Sequence, residues 1–277
     1  MIVRLLCIAL LATVANAQDF FIQLADPQFG AVTNDGDFSQ ETANYEFTVA
    51  NINRLKPKFV VICGDLINKP GDPAQLAEFK RITAKIDRSI PVYAVPGNHD
   101  VGNDPTPESV AAYRAALGAD YYSFRQGDIY GIVLDSSVIS SPTSVQTIAN
   151  EQEAWLTAEL AKAKTSGARH IVVFQHHSWF LETPDEPAQY FNIPLAQRQR
   201  YLKLLKESGV RYVFAGHYHR NAFGKDGDLE VITNGPVSRP LGTDPTGMRL
   251  VIVRAHKLDH KYVGMGEIPY QYPPKGR

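Results

Sequence analysis

Five short polar motifs in the chain carry the side-chain types that proteins use to bind metal ions. Their carboxylates, amide oxygens and imidazoles form a mixed set that suits Zn, Mn or Fe better than calcium alone. The candidate ligands are numerous enough for a pair of ions, so the motifs predict a binuclear metal site. The motifs are Asp26-Pro27-Gln28, Gly64-Asp65, Gly97-Asn98-His99-Asp100, His176-His177 and Gly216-His217-Tyr218-His219.

Each motif follows a short apolar run that is typical of a buried β-strand. Ligands of an open α/β sheet collect at the carboxyl ends of its strands, so these strand ends predict one shared cleft. Within the last motif, the spacing of two residues predicts that His217 and His219 lie on one face of a strand end. The runs cover residues 20–24, 59–62, 92–95, 171–174 and 210–215.

Helical patterns alternate with these runs, which predicts an α/β fold. The predicted helices cover residues 39–55, 73–87, 108–117, 151–164 and 195–208. Later runs at residues 210–215, 229–233, 250–254 and 261–264 come without long helices and predict a second sheet. We therefore expect one domain over residues 18–267, with two sheets packed face to face and helices outside, and a frayed Pro-rich tail over residues 268–277.

The helix predicted over residues 151–164 has an apolar face at helical spacing. We expect this face to cover a sheet, with Trp155 in the core. The face consists of Ala154, Trp155, Ala158, Leu160 and Ala161.

The composition allows a full core and provides no global charge that would select a partner. The chain has 277 residues and a hydrophobic content of 44%, which is enough for one large domain. Lys and Arg number 28 against 29 Asp and Glu, for a formal net charge of -1. This balance argues against nucleic acid or an anionic membrane as the partner.

Residues 1–17 have the pattern of a signal peptide. Arg4 precedes an apolar run over residues 5–15, and Ala15-Asn16-Ala17 forms a small-x-small cleavage site. We expect the mature chain to begin near Gln18 and to be secreted or periplasmic, with no membrane attachment after cleavage. An uncleaved anchor is the alternative, but the apolar run is short for a membrane span.

The order of the motifs resembles the signature of the calcineurin-like metallophosphoesterase superfamily. That signature runs Asp-x-His, Gly-Asp-x-x-Asp/Asn, Gly-Asn-His-Asp/Glu, a lone His and Gly-His-x-His. All five blocks occur in order here, the first with Gln28 in place of His. Residues 24–30, 97–103, 174–176 and 216–221 resemble more closely the subgroup of calcineurin-like phosphoesterase domain-containing protein 1. The resemblance implies a four-layer α/β/β/α sandwich of two mixed sheets flanked by helices. It also implies a binuclear phosphomonoesterase with serine/threonine phosphoprotein phosphatase activity.

The resemblance assigns the metal ligands as well. It implies two divalent ions, which could be Mn, Fe, Zn or Mg, with a bridging hydroxide as nucleophile and a phosphoester as substrate. Gln28 departs from the superfamily pattern, which has His there, and an amide oxygen is a poorer donor than imidazole. We therefore expect the first ion to bind loosely. The first ion would be held by Asp26, Gln28 and His219, the second by Asn98, His176 and His217, and Asp65 would bridge them.

The resemblance also implies roles in catalysis. His99 would protonate the departing oxygen, because imidazole titrates near neutral pH. Asp100 would orient the His99 ring and support its cationic form, and Asn98 would contact both metal and phosphate. His177 competes with His176 for the ligand role, and the alignment of the lone His favours His176.

Two other functions remain open at this level. The same metal core cleaves phosphodiesters, so a phosphodiesterase or nucleotidase is the alternative enzyme. A catalytically weak, metal-stabilised binding module is the alternative of another class, and the intact His99-Asp100 pair argues against it. Four further residues are candidates for the substrate cleft, namely Trp179 and Phe180 as lining and Arg220 and Arg239 as a phosphate clamp.

Overall fold

The computed structural model describes residues 19–273, so the signal peptide predicted over residues 1–17 lies outside the described residues. The helices are α1 (Ser39–Leu55), α2 (Pro73–Thr83), α3 (Asn98–Val101), α4 (Pro107–Leu117), α5 (Ser136–Ser140), α6 (Gln146–Thr165) and α7 (Leu195–Glu207). The strands are β1 (Phe20–Leu24), β2 (Val60–Cys63), β3 (Val92–Val95), β4 (Tyr122–Gln126), β5 (Ile129–Val133), β6 (His170–Phe174), β7 (Tyr212–Ala215), β8 (Ala222–Asp226), β9 (Leu229–Thr233), β10 (Gly247–Val253) and β11 (Leu258–Gly264). Over residues 19–273, no helix has the length and apolar character that crossing a membrane requires.

Local sequence signals set several helix boundaries. α2 begins at Pro73, and the carboxylate of the preceding Asp72 accepts hydrogen bonds from the backbone N–H groups of Ala74 and Gln75. α1 ends where Lys56 adopts a left-handed backbone conformation with a φ of 55°. These caps satisfy helix-end groups that would otherwise lack partners.

The strands form two mixed sheets that share a buried core. The first sheet has the order β11-β10-β1-β2-β3, and the second has the order β4-β5-β6-β7-β9-β8. The strands that lead into the polar motifs run parallel within each sheet. Phe21 of β1 and Phe174 of β6 belong to the core between the sheets, with ring centroids 5.9 Å apart. Parallel strands therefore deliver their carboxyl ends to one rim.

Helices cover the outer face of each sheet. α1 and α2 contribute Tyr45 and Phe79 to the core on the first sheet, and these two rings stack at 5.8 Å. α6 and α7 contribute Leu156 and Tyr201 to the core on the second sheet. The result is four layers in the order α/β/β/α, which confirms the predicted fold class.

The sheet assignment of the strands near the C-terminus differs from the prediction. The sequence predicts that they all share the second sheet, whereas β10 and β11 belong to the first. β10 pairs antiparallel with β1, with Val251 opposite Phe21. This pairing joins opposite ends of the chain, and local apolar patterns carry no information about such partners.

The described part of the C-terminal tail packs against the first sheet and α1. Arg54 of α1 donates hydrogen bonds to the carbonyls of Pro269 (2.9 Å) and Tyr270. The Tyr272 ring meets the Phe20 ring edge-on, with centroids 5.1 Å apart. Residues 268–273 are therefore held by contacts, and the prediction of a frayed end does not apply to them.

Candidate metal centre

The polar motifs meet at one rim because the strands that precede them end there. The loops are tied together by backbone hydrogen bonds, such as the one from Asp26 N–H to the Gly64 carbonyl at 3.1 Å. The shared cleft therefore lies where the carboxyl ends of strands from both sheets meet. Asp26 follows β1, Asp65 follows β2, Asn98 follows β3, His176 follows β6 and His217 follows β7.

Asp65 lies at the centre of the site. Its carboxylate belongs to two buried groups of potential metal ligands, and within each group the donor atoms lie within 4.8 Å of one another. One group adds His176 and His217, and the other adds Asp26 and His219. Asp65 thus has the position of a residue shared between two ion sites. The groups correspond to the two sets that the resemblance implies, apart from the amide residues.

Each imidazole of these groups is oriented by a hydrogen bond between one ring nitrogen and a backbone carbonyl. A carbonyl can only accept, so the bonded nitrogen carries the proton and the other nitrogen presents its lone pair when the ring is neutral. Such bonds fix the tautomer and ring orientation of metal-binding histidines. The bonds join His176 Nδ1 to the Cys63 carbonyl (2.8 Å), His219 Nδ1 to the Arg239 carbonyl (2.6 Å) and His217 Nε2 to the Tyr190 carbonyl (2.9 Å).

The buried charges favour a bound cation. Burial lowers the pKa of His217 to about 3, and the neighbouring His176 adds to that effect, so the His217 ring is neutral. Burial also works against a proton on His176, but the Asp65 carboxylate outweighs it and raises the pKa of His176 to about 9. A proton on His176 and a divalent cation would occupy the same place beside Asp65, so metal binding would release that proton.

The ligand loops have an unusual backbone. Left-handed conformations cost L-residues about 1–2 kcal/mol each, and such outliers cluster at functional sites. His217 and His219 both lie in this region beyond the end of β7, so the predicted alternation on a strand face is wrong. The φ angles are 52° for Asp26, 35° for Gln28, 50° for Asp65, 68° for His217 and 53° for His219.

Gly97 permits the closest approach in the site. A Cβ at this position would lie 2.2 Å from both the backbone nitrogen and Oδ1 of Asp65. No other residue fits there, so the turn into α3 packs directly on Asp65. The backbone N–H of His99 then donates a hydrogen bond to Asp65 Oδ1 at 2.9 Å.

Asn98 lies beside the group that contains His176. Its Oδ1 is 2.9 Å from His176 Nε2, and Asp65 Oδ2 is 3.2 Å from the same nitrogen. The Asn98 amide nitrogen points elsewhere and donates to Asn103 Oδ1 (2.9 Å) and to the Tyr190 hydroxyl (3.2 Å). Asn98 therefore presents an oxygen to the site.

Gln28 lines the cavity together with Asp65 and His219. Its amide nitrogen donates to Asn68 Oδ1 at 3.2 Å. Its Oε1 is buried and has no hydrogen-bond partner among residues 19–273. A buried oxygen without a partner costs about 1–3 kcal/mol, a cost that a cation bound to this oxygen would remove.

His99 lies on the cavity wall, but Asp100 does not orient its ring. His99 Nδ1 is 2.6 Å from the Asn68 carbonyl, which leaves Nε2 available to the cavity. Asp100 occupies the first turn of α3, where backbone N–H groups lack helical partners. Its carboxylate joins the loops after β2 and β3 instead, so the role predicted for Asp100 is corrected. It accepts from the backbone N–H groups of Gly97 (2.8 Å), Leu66 (3.0 Å) and Ile67 (3.2 Å).

Sequence reasoning missed several residues of the cavity wall, among them two aromatic residues. The cavity has a volume of about 180 Å³, and Tyr190 and Phe191 line one side of it. Tyr190 is 57% exposed, yet its hydroxyl contacts Asn98 and its carbonyl contacts His217. Both residues lie in the irregular loop between β6 and α7, where no periodic pattern marks their position.

Of the other residues that the sequence offers for the substrate cleft or as ligands, one lines the cavity and the rest do not. Trp179 and Phe180 are fully buried in the core of the second sheet and do not line the cleft. Arg220 donates two hydrogen bonds to the Leu241 carbonyl, at 2.9 and 2.6 Å, whereas Arg239 lines the cavity. His177 pairs with Ser136 Oγ at 3.1 Å and lies outside both ligand groups.

A known family shares this combination of fold and site. The family model described as calcineurin-like phosphoesterase matches residues 21–221, a span that contains every candidate ligand. The chain belongs to the calcineurin-like phosphoesterase family. It is a metallophosphoesterase, a hydrolase that acts on phosphoric ester bonds.

Relatives of this phosphoesterase include named phosphatases. The chain is 39% identical to serine/threonine-protein phosphatase CPPED1 of Bos taurus over 264 residues, which cover 90% of this chain and 84% of the relative. A dimetal phosphatase from Danio rerio superposes with a TM-score of 0.66 at 16% identity, covering 90% of this chain and 97% of that one. Purple acid phosphatase PPD1 of Lupinus luteus superposes with a TM-score of 0.67 at 14% identity, covering 90% of this chain and 52% of that one. At these identities the solved structures show the shared fold.

The residues of the phosphoesterase site fit a pair of divalent ions. Buried carboxylates and imidazoles of fixed tautomer surround Asp65, and the unpartnered Gln28 oxygen adds a donor on one side. Three imidazoles beside carboxylates and amide oxygens suit transition metals and Zn.

Proposed function

We propose that this phosphoesterase is an exported phosphomonoesterase that uses two divalent ions and His99 as proton donor. One observation carries the proposal: Asp65 belongs to both ligand groups and borders a cavity that His99 also lines. Phosphoserine and phosphothreonine side chains are the proposed substrate class, and the phosphatase relatives named CPPED1 support it.

In this proposal each ligand group holds one ion. When bound, the ions would activate a water nucleophile and neutralise charge that develops on the phosphoryl oxygens. The donor set is compatible with Mn, Fe, Zn or Mg, and the neutral amide of Gln28 favours weaker binding on its side. Asp26, Gln28 and His219 would hold one ion, Asn98, His176 and His217 the other, and Asp65 would contact both.

His99 would supply the proton for the leaving group. The Asn68 carbonyl accepts from Nδ1, so the ring is held with Nε2 free to carry a second proton. Transfer from Nε2 to the ester oxygen would neutralise the departing alkoxide. This matters most for serine and threonine esters, because alkoxides are poor leaving groups.

The cavity can accommodate a phosphomonoester. Its volume of about 180 Å³ must hold the transferred phosphoryl group, and Tyr190, Phe191 and Leu241 line it. A diester would need room for a second ester group beside the phosphorus. Arg239 lines the same cavity and is placed to contact a phosphoryl oxygen or a second anionic group of the substrate.

Phosphate release from metal-free protein tests the proposal. Mn²⁺ or Mg²⁺ should raise the rate on a phosphoserine peptide, and an aryl phosphomonoester should be cleaved faster than the matching diester. Equal rates before and after exhaustive chelation would contradict the metal requirement, and a preference for the diester would favour the alternative enzyme. Metal binding without any hydrolysis would favour the binding module.

A comparison of substrates with poor and good leaving groups tests the role of His99. His99→Ala should slow release from the alkyl ester of phosphoserine by a factor on the order of 10²–10⁴, and release from an activated aryl phosphate much less. His256→Ala is the matched control, because His256 is exposed. Equal losses on both substrates would show that His99 does not protonate the leaving group.

Export is supported by the residue pattern over 1–17 alone. Expression of the full chain in a secreting host should yield exported protein whose intact mass corresponds to a start near Gln18. Recovery of the protein with residues 1–17 still attached would contradict the proposal.

A further inference from the structure

A chain of hydrogen bonds leads from Gln28 to the protein surface. Gln28 Nε2 donates to Asn68 Oδ1 at 3.2 Å, and Asn68 Nδ2 donates to Asp35 Oδ1 at 2.8 Å. Gln75 Nε2 donates to the same Asp35 oxygen at 2.8 Å. Asp35 is exposed and lies in the loop after β1, outside every motif that the sequence singles out.

The end of this chain fixes its direction. A carboxylate can only accept, so Asn68 must turn its amide nitrogen to Asp35 and its oxygen to Gln28. Gln28 must in turn give its nitrogen to Asn68, which leaves Oε1 as the atom without a partner among residues 19–273. A neutral acceptor with its own hydrogens, such as a hydroxyl, would permit the opposite orientation.

Gln75 holds the arrangement in place independently. Its Oε1 accepts from the backbone N–H groups of Asn68 (3.0 Å) and Lys69 (2.9 Å), and backbone nitrogens can only donate. Its nitrogen is therefore directed to Asp35. The orientation of both amides on Asp35 follows from groups whose hydrogen-bonding role is fixed.

We propose that Asp35 is a positioning residue for the ion site that contains Gln28, orienting and polarising the Gln28 carbonyl through Asn68. The inference rests on the proposed function, because it requires that an ion bind at Gln28 Oε1. An anion that accepts from an amide N–H polarises that amide and makes its carbonyl oxygen more negative, and hydrogen bonds in series strengthen one another. Asp35 thereby compensates part of the donor strength lost with an amide in place of imidazole.

This effect belongs to one ion site. The Asp35 chain ends at Gln28, whereas the Asn98 amide donates to neutral acceptors, Asn103 and the Tyr190 hydroxyl. Loss of the Asp35 charge should therefore weaken one of two dissociation constants. Groups that support ligands from outside typically contribute a factor of about 10–100 to metal affinity.

Asp35→Asn isolates the charge, because the amide oxygen can still accept from Asn68 and Gln75. Calorimetric titration of metal-free mature protein with Mn²⁺ should give two ions per wild-type chain, and the variant should bind one of them about tenfold more weakly. Saturating Mn²⁺ should restore its phosphatase rate. A rate that stays low at saturating Mn²⁺ would overturn the inference, since Asp35 would then act on His99 or another group.

A charge swap provides the rescue. In Asp35→Asn with Asn68→Asp, the carboxylate sits next to Gln28 Nε2, so the Mn²⁺ affinity should return to the wild-type value or exceed it. Asp37→Asn is the matched control, because Asp37 is an exposed acid of the same loop and its Oδ1 accepts from Ser39 N–H at 2.9 Å. The control should leave both dissociation constants unchanged.

The outcomes separate this inference from the proposed function. Fewer than two Mn²⁺ per wild-type chain would overturn the binuclear function and the inference with it. Two ions per chain with unchanged affinity in Asp35→Asn would overturn the inference alone. An equal loss of Mn²⁺ affinity in Asp37→Asn would show that the effect comes from general surface charge. If Mn²⁺ affinity stays low in the swap variant, Asp35 does not act through Asn68.

Discussion

Asn98 and Gln28, the two amide side chains of the site, have different supports. Asn98 donates its amide hydrogens to Asn103 and Tyr190, which are neutral. Gln28 donates to Asn68, and that chain ends in a carboxylate at Asp35. The side that lacks the imidazole of the family pattern is the side whose amide is connected to a charge.

The difference indicates how the proposed metal site would tolerate a weaker ligand. On the side of Asn98, His176 and His217 supply imidazole donors, and the amide needs only orientation. On the side of Gln28, His219 is the imidazole of its group, so the strength of the amide oxygen matters more. We call the side of Asn98, His176 and His217 the imidazole side of the centre. The side of Asp26, Gln28 and His219 is the amide side.

Loss of an imidazole should have the largest effect. His176→Ala removes a ligand of the imidazole side, and several kcal/mol of charge stabilisation depend on the ion there, so kcat should fall on the order of a thousandfold at saturating Mn²⁺. Gln28→Ala should lose activity at low Mn²⁺ and regain most of it at high Mn²⁺. Steady-state rates over an Mn²⁺ series measure both.

His177→Ala is the matched control for this comparison. It removes an adjacent buried imidazole and leaves a similar void, but its ring pairs with Ser136 and lies outside the ligand groups. Equal losses in His176→Ala and His177→Ala would mean that packing, and not ligation, explains the effect. Equal Mn²⁺ dependence of the His176 and Gln28 variants would remove the distinction between the two sides.

The helix α5, which supports the imidazole side, should make the stability of the protein depend on pH. Ser136, the first residue of α5, accepts hydrogen bonds at Oγ from the backbone N–H groups of His176 (3.1 Å) and His177 (2.8 Å). The buried carboxylate of Asp135 caps this helix through the N–H groups of Ser137 and Val138. Burial, together with the nearby charge of Asp120, raises the pKa of Asp135 to about 7.

The sign of the effect follows from the raised pKa. The folded chain holds the Asp135 proton more tightly than the unfolded chain, so this residue contributes stability at low pH that is lost as pH rises from about 4 to about 7. Asp135→Asn keeps a neutral cap and removes the penalty. The free energy of unfolding should rise by about 3 kcal/mol more at about pH 8 than at about pH 4.5, because each pKa unit corresponds to about 1.4 kcal/mol and the desolvation cost of the amide is the same at both pH values.

Denaturant titrations at both pH values measure this difference. Asp72→Asn is the control, because Asp72 caps α2 in the same way with its side chain, at a position that is only half-buried. A gain of equal size at both pH values would contradict a titrating Asp135. A loss of stability at high pH would show that the charged cap is favourable despite its burial.

The convergence of the candidate ligands could be predicted from sequence because it depends on residue type and strand ends. Asp26, Asp65 and His176 each follow an apolar run whose end is visible in the sequence, and parallel strands bring such ends to one edge. α1, β1 and β9 were likewise predictable, because their apolar patterns and boundaries are local.

Features that depend on distant partners could not be predicted. The buried face of α6 carries Gln152 and Glu159, whereas Ala154, Ala158 and Ala161 are exposed. Gln152 is buried because it exchanges two hydrogen bonds with the backbone of Asp135, and Glu159 because it accepts from Ser123 and Tyr130. A hydrophobic pattern places polar residues outside, and only the partners reverse that assignment.

The same limit applies within the site. The sequence places Asp100 next to His99, but its carboxylate accepts hydrogen bonds from the backbone N–H groups of Gly97 and of the loop after β2. Asp35 and Tyr190 reach the site from loops whose course is set by tertiary contacts. The candidate ligands can therefore be identified from motifs, whereas the residues that orient them cannot.

Removal of the Tyr190 hydroxyl should have the smallest effect. In Tyr190→Phe the Asn98 amide loses one of two neutral acceptors, while Asn103 remains and the Tyr190 carbonyl still orients His217. One such hydrogen bond contributes about 0.5–1.5 kcal/mol, so kcat/KM should fall by less than about tenfold. Mn²⁺ affinity should change less than in Asp35→Asn, because no charge is lost. A Tyr190→Phe variant with the larger loss of affinity would reverse the comparison and make the imidazole side the one that depends on its amide support.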